Sequence, residues 1–225
     1  METKSFTASG RKVTVYPCAA PNKPVIYFNT FKDEGEDVHN LLKETDREKF
    51  TLVTVNITEW DHDMSPWAIP PVFKGGDPFT GGADGYLEIL INEIIPRVEE
   101  ALQSISWRGL AGYSLAGLFA VYAVYRTDIF SRIGSISGSL WFPGFREFAD
   151  TNEMKIKPDK MYFSLGDKES RTANPYLKTV RENTEAIEKF FREKGVNTVF
   201  KLNPGNHYND PAGRTVDGIL NMIDG

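Results

Sequence analysis

Residues 110–117 read Leu-Ala-Gly-Tyr-Ser-Leu-Ala-Gly, a serine set among small residues where an ordinary helix start would accept almost any side chain. The run follows an apolar strand-like segment (108–113) and opens an apolar helix-like one (114–126). A serine on such a strand-to-helix turn has its hydroxyl driven out above the carboxyl end of a sheet. The bend crowds the positions two before and two after it. Gly112 and Ala116 fill those positions, giving G-x-S-x-A where the nucleophile elbow has G-x-S-x-G. Ser114 is therefore a candidate nucleophile for acyl chemistry. The Leu115 N–H, at the start of the helix, points where an oxyanion would develop. Small residues that merely let helix and strand pack closely are the plainer alternative.

A serine nucleophile needs a base, and the sequence holds three histidines. His39, in EDVHNLLKE, is read as part of a solvated helix face. His62 lies between Asp61 and Asp63 in a long loop. His207, in LNPGNHYND, follows the last strand-like run and precedes the C-terminal helical segment, where the chain order serine, acid, histidine puts its base. His207 is the expected general base. The acid should follow KMYFSL (160–165), where GDKES offers Asp167 and Glu169. The Gly-x-x-acid spacing carries a carboxylate past the sheet edge and back towards the histidine. It favours Glu169, with Asp167 the alternative.

The second oxyanion donor is expected in the loop after PVIYFNT, around Thr30 and Phe31. Trp141, Trp67 and Tyr208 fall in segments expected to surround the serine, and aromatic walls suit an aromatic or apolar substrate group. Asp61, His62 and Asp63 are adjacent in one loop and cannot all face one ion comfortably. Neither a metal nor an organic cofactor is expected.

The elements that must position these residues can be read from apolar patterning. Short β-branched or aromatic runs mark strands at 12–16, 24–29, 50–57, 108–113, 132–138, 160–165 and 197–202. Residues 84–105 place Leu87, Leu90, Ile91, Ile94 and Ile95 on one helical stripe, with Pro96 expected to kink or restart the helix. Residues 114–126 are apolar nearly all round, as in a buried helix. Residues 176–195 are amphipathic and stop at Gly195, a C-cap candidate. Strand–helix alternation in the second half predicts a mostly parallel sheet covered on both faces, after an antiparallel start. Residues 58–83, rich in Pro, Gly and Trp, carry no periodicity, and a loop of that length in a compact domain is more often functional than idle.

The chain has 225 residues, the length of one sizeable domain spanning 1–225. A net charge of −5 argues against nucleic-acid binding, which would need a basic surface. No apolar run is long enough to span a bilayer and no polybasic stretch would hold an anionic membrane. The polar N-terminus lacks the apolar region of a signal peptide, and the lone Cys18 cannot form an internal disulfide. A cytoplasmic location is the resulting expectation.

Six blocks run in a recognisable order: WDHDMSPW (60–67), GGADGYLEILINEIIPRVE (81–99), GYSLAGLFA (112–120), ISGSLWF (136–142), SLGDKESR (164–171) and PGNHY (204–208). Together they resemble the esterase D-like branch of the α/β-hydrolases, particularly the siderophore (enterobactin-type) esterases. The resemblance implies an α/β-hydrolase fold, a three-layer αβα sandwich about a mostly parallel sheet. It further implies an ester hydrolase that forms an acyl-enzyme, using Ser114, His207 and the carboxylate in GDKE on a small-molecule ester. An acyltransferase using the same serine, or a binding domain that kept the fold without turnover, are the competing expectations.

Overall fold

The computed structural model describes residues 2–32, 34–43, 45 and 49–224. Among the described residues, eight strands form one sheet: β1 (Lys4–Ala8), β2 (Arg11–Tyr16), β3 (Lys23–Phe31), β4 (Thr51–Ile57), β7 (Ile105–Tyr113), β8 (Arg132–Ile136), β9 (Lys160–Gly166) and β10 (Asn197–Asn203). Their spatial order is β1-β2-β4-β3-β7-β8-β9-β10. The pairs β1–β2 and β2–β4 are antiparallel and every later pair is parallel. Two further short strands, β5 (Ala68–Ile69) and β6 (Phe79–Thr80), form a separate antiparallel pair.

Alternation along the central strands builds two cores. Val25 and Tyr27 of β3, Leu110 of β7 and Met161, Phe163 and Leu165 of β9 face one side. Ile26, Phe28, Ala111 and Tyr162 face the other. On the first side lie α3 (Ala83–Ile89), α4 (Ile95–Glu99), α5 (Leu115–Ala123), α6 (Phe145–Thr151) and α7 (Val180–Glu193). On the second, α1 (Glu34–Leu42) packs against α8 (Pro211–Ile223), contributing Val38, Leu42, Ile219 and Met222. Because both faces are covered, the strands read as continuous apolar runs rather than alternating ones. This is the expected three-layer α/β-hydrolase architecture.

Where the elements differ from expectation, the cause is local. The predicted helix over 84–105 is α3, a π-helical stretch Leu90–Ile94, and then α4, ending at Glu99. Pro96 sits in the first turn of α4, so the wider π-helical stretch lies just ahead of the ring that cannot donate. The predicted helix at 176–195 begins as a 3₁₀ turn, Leu177–Thr179, before α7; Gly195 follows at φ +77°. The unpatterned 58–83 segment folds as the one-turn α2 (Trp60–Asp63) and the β5–β6 pair. His39 is not on a solvated face. It is 4% exposed, with its ring stacked on Tyr16 at 3.6 Å between centroids.

Asp63 anchors that segment to the sheet. Its Oδ2 accepts from Arg11 Nε at 2.9 Å and Nη2 at 2.6 Å, and both side chains are buried. Arg11 also lies over the Tyr86 ring, whose hydroxyl donates to Asn29 on β3. Asp63→Ala leaves the guanidinium buried without its counter-charge and should cost about 3–5 kcal/mol. The check is a lowered urea midpoint at unchanged m-value.

Candidate active site

The turn between β7 and α5 places Ser114 at φ 58°, ψ −122°, a left-hand φ that a side chain bearing Cβ rarely adopts. Such a conformation costs on the order of 1–3 kcal/mol and persists only where its surroundings hold it. Here the Ser114 N–H donates to Ile136 O, while its carbonyl accepts from Gly117, Leu118 and Ser139. The crowding inferred from the motif is real. A Cβ on Gly112 would lie 2.3 Å from the Ala116 carbonyl carbon and 2.4 Å from its Cβ.

His207 sits on the loop between β10 and α8. Its Nε2 is 3.1 Å from Ser114 Oγ, and its Nδ1 is 2.8 Å from Glu169 Oε2. A carboxylate only accepts, so Nδ1 carries the proton and Nε2 presents a lone pair to the hydroxyl. Tyr113 hydroxyl donates to the His207 carbonyl at 2.5 Å, fixing the loop from below.

Glu169 is held on every side. Its Oε1 accepts from Gly166 N–H at 2.5 Å, Ser137 Oγ at 2.8 Å and Arg214 Nη1 at 3.3 Å. Burial pushes the Glu169 carboxyl up, but the His207 and backbone hydrogen bonds outweigh it and hold it below the usual glutamate value. Asp167 does not reach His207. Its Oδ1 accepts from Gly205 N–H at 2.8 Å, tying down the loop that carries the histidine. Of the two carboxylates left open by the sequence, Glu169 is the one that meets the imidazole.

The remaining candidates fall into place or are displaced. Leu115 begins α5 beside Ser114, where the first helical N–H groups have no partner within the helix. Thr30 is turned away: its hydroxyl donates to Lys32 O and Val55 O, and it borders a different depression with Lys12 and Glu36. Phe31, one residue on, shares a cavity with Ser114; its N–H donates to Glu34 Oε2 at 3.1 Å. Burial pushes the Glu34 carboxyl above its ordinary value.

Two cavities flank the serine. The larger, about 360 Å³, is walled by Phe73, Phe79, Trp141 and Leu177, with Lys168, Arg171 and Asp61 also bordering it. The smaller, about 220 Å³, is walled by Phe31, Trp60, Tyr113 and Tyr208, with Glu34. Trp141 and Tyr208 thus stand at the serine, but Trp67 does not. Its indole N–H donates to Pro143 O and its ring packs among Phe142, Phe145 and Phe148. Trp60, from the same loop, takes the place expected of it.

Asp61, His62 and Asp63 are separated in purpose. Asp61 borders the larger cavity, His62 Nδ1 bonds Thr80 Oγ1 at 2.7 Å, and Asp63 binds Arg11. Sequence reasoning missed Tyr113, Ser137, Arg214, Trp60 and Glu34. Tyr113 lay inside the elbow motif, Trp60 inside WDHDMSPW and Ser137 inside ISGSLWF; Arg214 and Glu34 carry no local signature.

Comparison with known proteins identifies the family. The Esterase family model, described as "Putative esterase", matches residues 25–209. The protein YbbA of Bacillus subtilis is 24% identical over 201 residues, covering 84% of this chain and 80% of that one. Among solved structures, an IroE-like serine hydrolase from Shewanella oneidensis superposes with a TM-score of 0.82. It is 20% identical over 99% of this chain and 80% of its own. The siderophore hydrolase EstA from Aspergillus nidulans gives 0.76, at 18% identity over 99% and 93% of the two chains. With four-fifths of its length matched by that family model, the chain belongs to the Esterase family.

Proposed function

We propose that the protein hydrolyses small carboxylic esters carrying an aromatic or apolar group, through an acyl-enzyme on Ser114. The observation that carries this is the hydrogen-bonded series Ser114 Oγ, His207 and Glu169, at 3.1 Å and 2.8 Å, on a strained elbow. Ser114 Oγ attacks the ester carbonyl as His207 Nε2 takes its proton. Leu115 N–H and Phe31 N–H receive the oxyanion, which requires Glu34 to yield its hold on Phe31. Each such donor contributes on the order of 3 kcal/mol. Collapse breaks the ester C–O bond, and His207 returns the proton to the departing alcohol. Water, deprotonated by His207, then adds to the acyl carbon and releases the acid and free Ser114.

The aromatic wall of the larger cavity supports an aromatic or apolar group on one side of the scissile bond. The similarity to a siderophore hydrolase supports including ester-linked siderophores in a substrate panel. A fluorophosphonate probe tests the nucleophile. Wild type should label stoichiometrically and Ser114→Ala should not; equal labelling of both removes Ser114 from the chemistry.

A further inference from the structure

We infer that the smaller cavity binds a cationic, ammonium-bearing part of the substrate. This deepens the ester-hydrolase reading and rests on it for the word substrate, though not for the binding. The cavity of about 220 Å³ is bordered by Ser114 and His207, so a substrate whose carbonyl meets the serine can place one of its ends there. Phe31, Trp60 and Tyr208 supply aromatic surface, with Phe31 and Trp60 edge-to-face at 5.3 Å. Aromatic faces attract cations through their quadrupoles, tryptophan most of all. Among the described residues, Glu34 is the one acidic side chain bordering this cavity, and no lysine or arginine borders it.

Glu34 forms no ion pair among the described residues: Phe31 N–H donates to its Oε2, and Lys32 and His207 act on its charge only at longer range. Lys32, next in the chain, lies over the Phe31 ring at 5.0 Å and borders the separate depression containing Lys12 and Glu36. An anion beside the proposed oxyanion donors opposes the charge that develops in acyl transfer. A substrate cation between them would neutralise that opposition and draw the carboxylate from Phe31. The larger cavity shares Trp60 and Tyr208 but is also bordered by Lys168 and Arg171, beside Asp61 and Glu169, so cations already stand there.

The test is calorimetric titration with choline and with its uncharged isostere 3,3-dimethylbutan-1-ol. Choline should bind wild type about tenfold more tightly than the isostere. Glu34→Gln, whose amide oxygen can still accept from Phe31 N–H, should bring that ratio close to one, and Trp60→Leu should lower it. Equal binding of the two probes, no binding of either, or a ratio that survives Glu34→Gln would overturn the inference. Binding is read without turnover, so fluorophosphonate labelling and p-nitrophenyl acetate hydrolysis report separately on the esterase reading. In turnover, benzoylcholine should exceed 3,3-dimethylbutyl benzoate in kcat/KM by a similar factor. A merely structural fault in Glu34→Gln would depress both esters together and leave their ratio unchanged.

Discussion

His207→Ala should lower kcat for p-nitrophenyl acetate by a factor on the order of 10⁶, close to the loss from Ser114→Ala, and the double variant should be no worse than either. The reasoning is geometric. A serine hydroxyl is a weak nucleophile until a base at hydrogen-bond distance removes its proton, and Nε2 stands 3.1 Å away. Without the imidazole, Ser114 keeps its position on the elbow but not its reactivity. Without Ser114, the base has nothing to activate. Losses that multiply in the double variant would mean two independent contributions, contrary to the proposed mechanism. A His207→Ala enzyme within tenfold of wild type would remove the histidine from it altogether. The imidazole is partly exposed, and the backbone carbonyl that holds Tyr113 survives the substitution. Stability should therefore change little, and a loss of kcat can be read as chemistry.

Much of the architecture is legible in the sequence because covered parallel strands must be apolar on both faces. The runs VIYF, LVTV and MYFSL can scarcely be anything else. The edge is harder to read. Lys4–Ala8 is a strand with one buried residue, so its composition resembles a tail. The elbow is legible for a steric reason, since any side chain at position 112 would put its Cβ 2.3 Å from the Ala116 carbonyl carbon. The acid is legible only as a preference, since the Gly-x-x-acid spacing favours Glu169 without excluding Asp167. Asp167 and Glu169 lie on the same turn, and what separates them is the approach of another segment, where Gly205 N–H takes Asp167 and leaves Glu169 to the imidazole. His39 and Trp67 are misread for the same kind of reason. Their rings are placed by partners distant in sequence, Tyr16 for one and Pro143 with its aromatic neighbours for the other. Within an unpatterned loop, nothing local distinguishes Trp60, which faces the serine, from Trp67, which does not.

Glu169→Gln should lower kcat by about 10⁴, whereas Asp167→Asn should stay within about tenfold of wild type. Glutamine can keep one amide oxygen toward Gly166, Ser137 and Arg214, preserving the carboxylate's outer bonds. Its NH₂ then faces His207 Nδ1, which must accept rather than donate. The ring proton moves to Nε2 and points at Ser114, so the base presents a donor where a lone pair is needed. Asparagine at 167 can still accept from Gly205 N–H, so its loop stays in place. The charge lost at Glu169 also leaves Arg214, 4% exposed, without its carboxylate, and should cost about 3 kcal/mol. Kinetics are therefore measured well below the melting temperature of each variant. The linkage has a definite sign. A carboxyl held below its unfolded value of 4.5 stabilises the fold fully above that pH and loses the contribution as pH falls through the lowered folded value. The stability gap between wild type and Glu169→Gln should thus be constant from pH 8 to about 6 and shrink in acid. Wild-type activity lost between those pH values cannot then be assigned to Glu169. An Asp167→Asn enzyme as impaired as Glu169→Gln would place the orienting charge on the wrong residue, whereas a Glu169→Gln enzyme with near-normal kcat would show that the serine–histidine pair works without an orienting acid.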